Sequence, residues 1–378
     1  MKKLKILALQ LNYGGIESCI CNVANLLCDF YDIEIISIYK LLDHPAFKLD
    51  ERIKVTYLTE NIKPNGNEFK TAFKHLNFIK CFFIGLKSLH ILYLKRHTLI
   101  KAVKESDGDI FLSTRIYINK ILGRYGHGVK IGWEHNHHHN DQKYIKSFMI
   151  SCQNLDKVIL VSKSLKDYYE KLFTVNNLSC NCIYIPNFID ELPENKTNFD
   201  NKNLISVGRL SIEKGFIDLI DVYKLVDLGL DDTHLDIIGD GIEATNINNK
   251  IINFNLTRKI TMHGFKDKDY INNLYLNSAL YLMTSYTESF GLVLIEAMAY
   301  GIPCIAYDSA EGANDIIQNN YNGYLIKNRN EHDMADAVIK LLSNRAELKR
   351  LSNNARQTAL KYTASSFKDK WLEVLGDK

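Results

Sequence analysis

The chain has 378 residues, 46% hydrophobic and 24% charged, with a formal net charge of +3. That length exceeds what one ordinary core fills and fits two domains of roughly 150–200 residues each. The near-neutral balance carries no concentrated basic surface of the kind a nucleic-acid binder needs, so no nucleic-acid partner is expected.

The N-terminal apolar run is short and enters the turn Asn12-Tyr13-Gly14-Gly15. This suits a first β-strand, Lys5–Leu11, better than a signal peptide. No window of about 18 apolar residues occurs, so no membrane span is expected. Strand-length apolar runs then alternate with longer helix-like stretches: Ile33–Tyr39, Val55–Leu58, Ile110–Ser113, Ile131–Glu134 and Val158–Ser162. A second set follows: Leu204–Val207, Leu235–Ile238, Ile260–His263, Leu280–Thr284 and Cys304–Tyr307. Two sets of β-α alternation predict an α/β protein with two doubly wound parallel sheets, in which ligands bind beyond the carboxyl ends of the strands. The expected division is 1–187, then 188–362, with the boundary near Ile185-Pro186-Asn187-Phe188 and Asp190–Asn203 as a polar linker. A final segment, 363–378, contains an amphipathic helix, Ser365–Leu375, with Phe367, Trp371 and Leu375 on one face.

The eight cysteines include the pairs Cys19/Cys21 and Cys180/Cys182 but no zinc-type spacing, and read as reduced thiols of a cytoplasmic protein, several of them in the core. Residues 69–104 hold seven Lys, one Arg and no Asp or Glu, interleaved with Phe69, Phe73, Phe78, Phe82, Phe83 and Tyr93. Cations mixed with large rings suit an anionic membrane surface on the inner face of the plasma membrane. They also suit helices that pack on the first sheet with solvated lysines.

Several segments that follow strands could handle phosphate. Gly14-Gly15 precedes a helix-like stretch, Ile16–Leu27, whose N-terminus offers N–H groups to an anion. Gly208-Arg209-Leu210 and Glu213-Lys214-Gly215 set an Arg and a Lys five residues apart after the first strand of the second set, where they can hold a diphosphate. Gly239-Asp240-Gly241 and His263-Gly264-Phe265 follow the next two strands and share the same rim. Glu288-Ser289-Phe290-Gly291 reads as a turn into a helix that runs to about Tyr300. Glu296 lies eight residues after Glu288, too far along a helix to reach the same atom, so the two suit different parts of an elongated ligand. Carboxylates accept from sugar hydroxyls. Glu296 stands in the apolar run Leu294-Ile295-Glu296-Ala297-Met298, where a carboxylate should have a partner.

Thr287-Glu288-Ser289-Phe290-Gly291-Leu292, Glu296-Ala297-Met298-Ala299 and Gly301-Ile302-Pro303 together resemble the signature of the family-4 retaining glycosyltransferases of the GT-B fold. Gly14-Gly15-Ile16-Glu17, Gly208-Arg209, Lys214-Gly215 and Asn322-Gly323-Tyr324-Leu325 match further motifs of that family in order. The resemblance implies an acceptor-binding first domain, a second domain that binds a nucleotide sugar, and a C-terminal helix returning to the first. Arg209 and Lys214 would hold the donor diphosphate and Glu296 the ribose. Glu288 and the backbone of Phe290-Gly291-Leu292 would hold the sugar, with Gly15, Gly208, Gly239, Gly264 and Phe265 also on the donor side.

Glu134-His135-Asn136-His137-His138-His139-Asn140 places four histidines in five positions, yet no further motif completes a zinc site. The family uses no metal and no cofactor besides its donor. It places one important His after a Glu, which assigns His135 a role near the transferred sugar, with Glu134, Asn136 and His137 on the acceptor side. The expected reaction moves a hexose or N-acetylhexosamine, UDP-linked, onto a glycan or lipid-linked glycan, with anomeric configuration retained, as in capsule or other surface-polysaccharide synthesis. The alternatives are a catalytically silent GT-B partner subunit, which would not need His135, Arg209, Lys214, Glu288 and Glu296 together, and a GT-B sugar-nucleotide epimerase. Asp107-Gly108-Asp109 reads as a turn.

Overall fold

The computed structural model describes residues 1–60 and 78–376. Of the basic-aromatic stretch, residues 69–77 lie outside that description. The chain forms two compact units: Met1–Val161 with Lys166–Ile185 and Lys368–Lys378, and Pro186–Phe367 with Ser162–Leu165.

The first unit is built on seven strands: β1 (Lys2–Ala8), β2 (Tyr31–Tyr39), β3 (Lys54–Thr59), β4 (Ile110–Ser113), β5 (Val129–Glu134), β6 (Lys157–Leu160) and β7 (Asn181–Tyr184). They run parallel in the order β3-β2-β1-β4-β5-β6-β7. Leu4 stands between Ile33 and Ile110 in register, which makes β1 central. Strands covered on both faces lose the polar alternation, and all four residues of β4 are buried. The first strand begins earlier and ends sooner than its apolar run suggests, because Lys3 and Lys5 are neutralised by neighbours. Lys5 pairs with Glu34 on β2 at 2.8 Å and with Asp107 at 2.9 Å, and Lys3 pairs with Asp107. Asp109 accepts from the Lys3 N–H, so Asp107-Gly108-Asp109 ties the start of β4 to the start of β1, opposite the ligand rim.

The helices of this unit are α1 (Gly15–Leu27), α2 (Phe78–Glu105), α3 (Ile116–Tyr125), α4 (Gln142–Cys152) and α5 (Lys163–Val175). Cys19, Ile20, Val23, Ala24 and Leu27 of α1 recur at helical spacing and are buried. Among the described residues no disulfide links the cysteines. Trp371, from the last helix of the chain, meets Trp133 of β5 edge-on at 5.1 Å. Lys157 donates to the Val374 carbonyl and Lys2 to that of Gly376, so two lysines satisfy the exposed carbonyl end of that helix.

The second unit repeats the plan with β8 (Lys202–Val207), β9 (Thr233–Ile238), β10 (Ile260–Gly264), β11 (Leu280–Met283), β12 (Cys304–Tyr307) and β13 (Gly323–Ile326). The order is β10-β9-β8-β11-β12-β13, again parallel. β13 escapes the sequence pattern: it is four residues long, opens on a glycine and sits at the sheet edge. The helices are α6 (Phe216–Gly229), α7 (Ala244–Asn253), α8 (Lys268–Leu276), α9 (Leu292–Ala299), α10 (Glu311–Ile316), α11 (Glu331–Leu342) and α12 (Arg345–Leu360); α13 (Ala364–Leu375) starts here and from Lys368 belongs to the first unit. The polar stretch Asp190–Asn203 does not hang free as a linker. Phe199 is buried in the second core, and the buried Thr197 hydroxyl donates to the Ser278 carbonyl at 2.7 Å.

In a sheet of this order the crevice opens where successive connections leave to opposite sides. That point lies between β1 and β4 in the first unit and between β8 and β11 in the second.

Candidate active site

At the switch point of the second sheet, two loops are stitched into one structure. The chain leaves β8 through Gly208, Arg209 and a short 3-10 turn, Ile212–Lys214, and leaves β11 through Ser285, Tyr286 and Glu288. The Tyr286 N–H donates to the Glu213 carbonyl and the Thr284 hydroxyl to the Gly215 carbonyl, both at 2.9 Å. Gly215 has φ +65°, and a side chain there would stand 2.1 Å from the Thr284 carbonyl oxygen, so only glycine lets the loops approach. The result brings Lys214 into an ion pair with Glu288, both mostly buried. Arg209 is 71% exposed and pairs with Glu213 at 3.0 Å.

Each cation therefore carries a carboxylate partner in the ligand-free protein. Glu213 is favoured as the carboxylate. Burial acts against its charge, but Ser211, its own N–H, Arg209 and Lys214 outweigh that and lower its pKa.

The glycines after β9 and β10 differ in purpose. Gly239 has φ +140° and a side chain on it would collide with the Gly208 carbonyl oxygen at 1.8 Å, so it is required by the packing of the two turns. Gly264 also has positive φ, but open space surrounds its Cβ position, and Phe265 beside it is 54% exposed. That pair presents open space at the glycine and an apolar wall. The Gly239 N–H donates to the Gly264 carbonyl at 2.9 Å, which joins the turns into one rim. Asp236 accepts from His263 at 2.7 Å, and Tyr270 lies 3.0 Å from the other ring nitrogen, so the residue before Gly264 is held from both sides.

Gly291, with φ +91°, starts α9 without a side-chain cap, so the first N–H groups of that helix remain open to an anion. Phe290 contributes backbone only: its ring is buried and packs on Tyr362 at 5.7 Å. Leu292 is the first residue of the helix. Glu296, one turn further on, is half-buried, and it has no hydrogen-bond or ion-pair partner among the described residues. Burial raises its pKa and only the charge of Lys268 opposes this. The partner expected for this carboxylate is thus absent from the protein, which leaves its acceptor atoms for a ligand.

Sequence reasoning missed Arg329. It follows β13 and reaches back under both loops. It donates to the Ser285 and Thr284 carbonyls and to the Ser309 hydroxyl at 2.8, 2.8 and 2.9 Å, and pairs with Asp218. Its guanidinium lies 3.7 Å from the Tyr286 ring centre and 4.5 Å from that of Tyr307. Nothing in the local sequence marks it, since its partners come from three separate segments.

In the first unit, Glu17 changes the reading of the Gly14-Gly15 turn. Its buried carboxylate stands where a side chain on Gly14 would lie, 2.3 Å away, and takes hydrogen bonds from its own N–H and Gln10. An acid thus already occupies the start of α1. Gly15 has open space at its Cβ position. Arg115, which follows β4, donates to Glu17 at 3.3 Å, and its Nε is buried without a partner. It too carries no sequence signature.

Glu134 ends β5, buried, and accepts from the Asn136 N–H at 2.8 Å and its side-chain amide at 3.2 Å. Burial raises its pKa against those bonds, Tyr144 and Arg115. His135 is 8% exposed, lies 4.3 Å from the Trp133 ring, and neither ring nitrogen has a partner. Burial, and then the charge of Arg115, lower its pKa to about 3, so it is neutral at pH 7. Of the three later histidines, His139 is exposed. His137 and His138 are buried, and their Nδ1 atoms accept from the N–H groups of His139 and Asn140 at 3.1 and 3.0 Å. Those two residues have positive φ, so the run is a tight turn that uses histidine as its own cap. No group of three potential metal ligands occurs among the described residues.

Residues 188–358 match the family model of glycosyl transferases group 1. The chain is 26% identical to an uncharacterized glycosyltransferase of Haemophilus influenzae, covering 99% of this chain and 100% of the relative. It is 25% identical to an alpha-1,4-N-acetyl-D-galactosaminyltransferase of Campylobacter jejuni named for a diNAcBac-PP-undecaprenol-linked acceptor, covering 100% and 99%. A TarM variant of S. aureus, solved with Fondaparinux, alpha-GlcNAc-glycerol and UDP, superposes with a TM-score of 0.79 at 19% identity, covering both chains fully. The fold is that of the GT-B glycosyltransferases, an α/β architecture with two Rossmann-like parallel sheets. The family match falls within the second unit, while the Haemophilus and Campylobacter relatives resemble the chain over nearly its full length.

Proposed function

We propose that this protein transfers a hexose or N-acetylhexosamine from a nucleotide sugar, UDP-linked, to a glycan acceptor with retention of anomeric configuration. The observation that carries this is the Lys214–Glu288 pair at the switch point of the second sheet, with the partnerless Glu296 one turn into the following helix. Glu296 accepts from the ribose hydroxyls. Arg209, Lys214 and the open N-terminus of α9 stabilise the departing diphosphate, and Glu288, released from Lys214, holds the sugar hydroxyls. No side chain of this rim is an obvious covalent nucleophile, which suits attack on the same face as departure, the leaving phosphate taking the acceptor proton. The sugar-nucleotide chemistry needs no metal when two cations already face the phosphates.

The acceptor is lipid-linked in this reading, and the work is surface-polysaccharide synthesis at the cytoplasmic face of the membrane. The acceptor named for the Campylobacter relative supports this, as does α2. Phe82, Phe83, Leu86, Leu89, Leu92 and Tyr93 are exposed on that helix, among Lys87, Lys95, Arg96, Lys101 and Lys104. No described helix is long and apolar enough to cross a membrane.

A panel of nucleotide sugars incubated with the purified chain and a lipid-linked glycan, with products read by NMR, tests donor, linkage and anomer together. Near-normal turnover by both Arg209→Ala and Lys214→Ala would refute the assignment. Absence of transfer and of donor hydrolysis across the panel would favour the silent-subunit alternative.

A further inference from the structure

Beside the rim of the second unit runs a relay of polar side chains that the proposed chemistry does not use. Asp236 of β9 is 7% exposed, and its Oδ1 stands 2.7 Å from Nε2 of His263 on β10. The other ring nitrogen of His263, Nδ1, stands 3.0 Å from the hydroxyl of Tyr270, in the first turn of α8. Asp267 caps that helix by accepting from the Tyr270 N–H at 2.9 Å, which fixes the point from which the ring reaches back to the strand. His234 lies 3.7 Å from the same Asp236 oxygen, and its Nε2 meets the Thr261 hydroxyl at 2.9 Å. Lys266 covers one face of the Tyr270 ring at 4.7 Å, so the ring offers its hydroxyl edge rather than that face.

The relay has a direction. A carboxylate only accepts, so Asp236 places the proton of the neutral imidazole on Nε2. Nδ1 is then an acceptor, and the Tyr270 hydroxyl donates to it. That uses the one hydrogen of the phenol and leaves its oxygen to accept from whatever else approaches. Tyr270 is 39% exposed, so a ligand can approach.

Its place in the fold says which part of a ligand that is. Tyr275, later in α8, packs on Tyr300 just past α9, with ring centres 5.4 Å apart. Helices that follow strands of one parallel sheet run in the same direction. Tyr270 lies five residues before Tyr275, and Glu296 four before Tyr300. At about 1.5 Å per residue the two stand at roughly the same height, at the rim. With Glu296 on the ribose, the base of the same nucleotide falls toward Gly264, where the Cβ position is open, and the exposed Phe265.

We infer that Tyr270, set by Asp236 through His263, is a specificity-determining residue for the base of the donor, its oxygen accepting from a ring N–H. Uracil carries that N–H at N3. Cytosine presents a bare acceptor nitrogen at the same place, which sets two acceptors against each other. The inference rests on the nucleotide-sugar reading above and adds the atom that selects uracil over cytosine.

The test is calorimetric titration of the full chain with UDP and with CDP, which match in size and charge. The parent binds UDP about tenfold or more tightly than CDP, the effect of leaving one polar edge unpaired. Tyr270→Phe keeps the ring and lowers that ratio about fivefold or more, by weakening UDP and not CDP. Tyr321→Phe, at an exposed position before β13 and so at the opposite end of the sheet, leaves the ratio within about twofold. Acidification adds a second readout. In the imidazolium both nitrogens donate, the phenol turns its hydrogen outward, and the ratio shrinks in the parent but not in the Phe variant. Titration of Glu296 and of the phosphates affects both nucleotides alike and cancels in the ratio. A ratio left within about twofold by Tyr270→Phe, an equal loss of both nucleotides in that variant, or a parent that binds CDP as tightly as UDP would overturn the inference alone. A parent that binds neither nucleotide overturns the donor reading, and this inference with it.

Discussion

Arg329 gives the most quantitative test of how the donor rim is held. Arg329→Met keeps the stem and removes the guanidinium. Thr284 and Ser285 are 2% and 3% exposed, so their carbonyls lose their donor with no water to replace it. Each such orphaned acceptor costs about 1–3 kcal/mol. The pair with Asp218 is partly solvated and adds no more than about 1 kcal/mol. Stacking on Tyr286 and Tyr307 is lost as well. The sum is about 4 kcal/mol, and for a unit of this size each kcal/mol lowers the melting temperature by about 2–4 °C. Calorimetry of the full chain should show the second unit melting about 10 °C earlier. Arg329→Lys should fall between, since one ammonium cannot serve the fork of carbonyls and rings. Because Arg329 holds the strand end leading to Glu288, the Lys variant should also raise the donor KM more than it lowers kcat. A Met variant melting within about 2 °C of the parent would refute the reasoning.

Four further outcomes follow from the geometry. Arg209→Ala and Lys214→Ala should each lower kcat by about two to three orders of magnitude, as loss of one transition-state cation does, with circular dichroism unchanged. Glu296→Gln should weaken UDP binding about tenfold or more, while raising the melting temperature of the ligand-free protein, since it removes an unpaired half-buried charge. Burial raises the Glu296 pKa, and the ribose needs its ionised form. Calorimetry should therefore show UDP affinity falling on acidification from above the ordinary carboxylate range, and the Gln variant should be insensitive there. His135 has a folded pKa of about 3 against an ordinary value of 6.5. Its neutral burial favours the folded state fully above pH 6.5, and that contribution is lost as pH falls below 6.5, by up to about 1.4 kcal/mol per pH unit until about pH 3. Denaturant melts of His135→Phe should lose that part of the acid sensitivity. Finally, Phe82→Ser with Phe83→Ser should reduce co-sedimentation with anionic vesicles, and a parent chain indifferent to anionic lipid would sink the membrane reading.

The architecture was legible because period and length carry it. Short apolar runs separated by helix-length segments specify parallel strands buried on both faces, and eight of the eleven runs read this way lie wholly within strands. The exceptions are instructive. β13 hid behind a glycine and only four residues. β1 began with lysines whose strand character depends on Glu34 and Asp107. The histidine run gives no sign in sequence that a turn folds two of its imidazoles inward as caps.

The sites divide along the same line. Residues close in sequence, such as Glu213-Lys214-Gly215 or Glu288 through Glu296, carry their chemistry in their order, because one turn and one helix start present them together. The sequence alone therefore determined two doubly wound units and which loops of the second lie after successive strands. Tertiary structure alone decided that Lys214 already holds Glu288, that Glu17 fills the first turn, and that Arg329 and Arg115 stand at the two switch points. Parallel sheets bring together strand ends far apart in the chain, and an ion pair formed across such a crevice leaves no periodic trace in either segment.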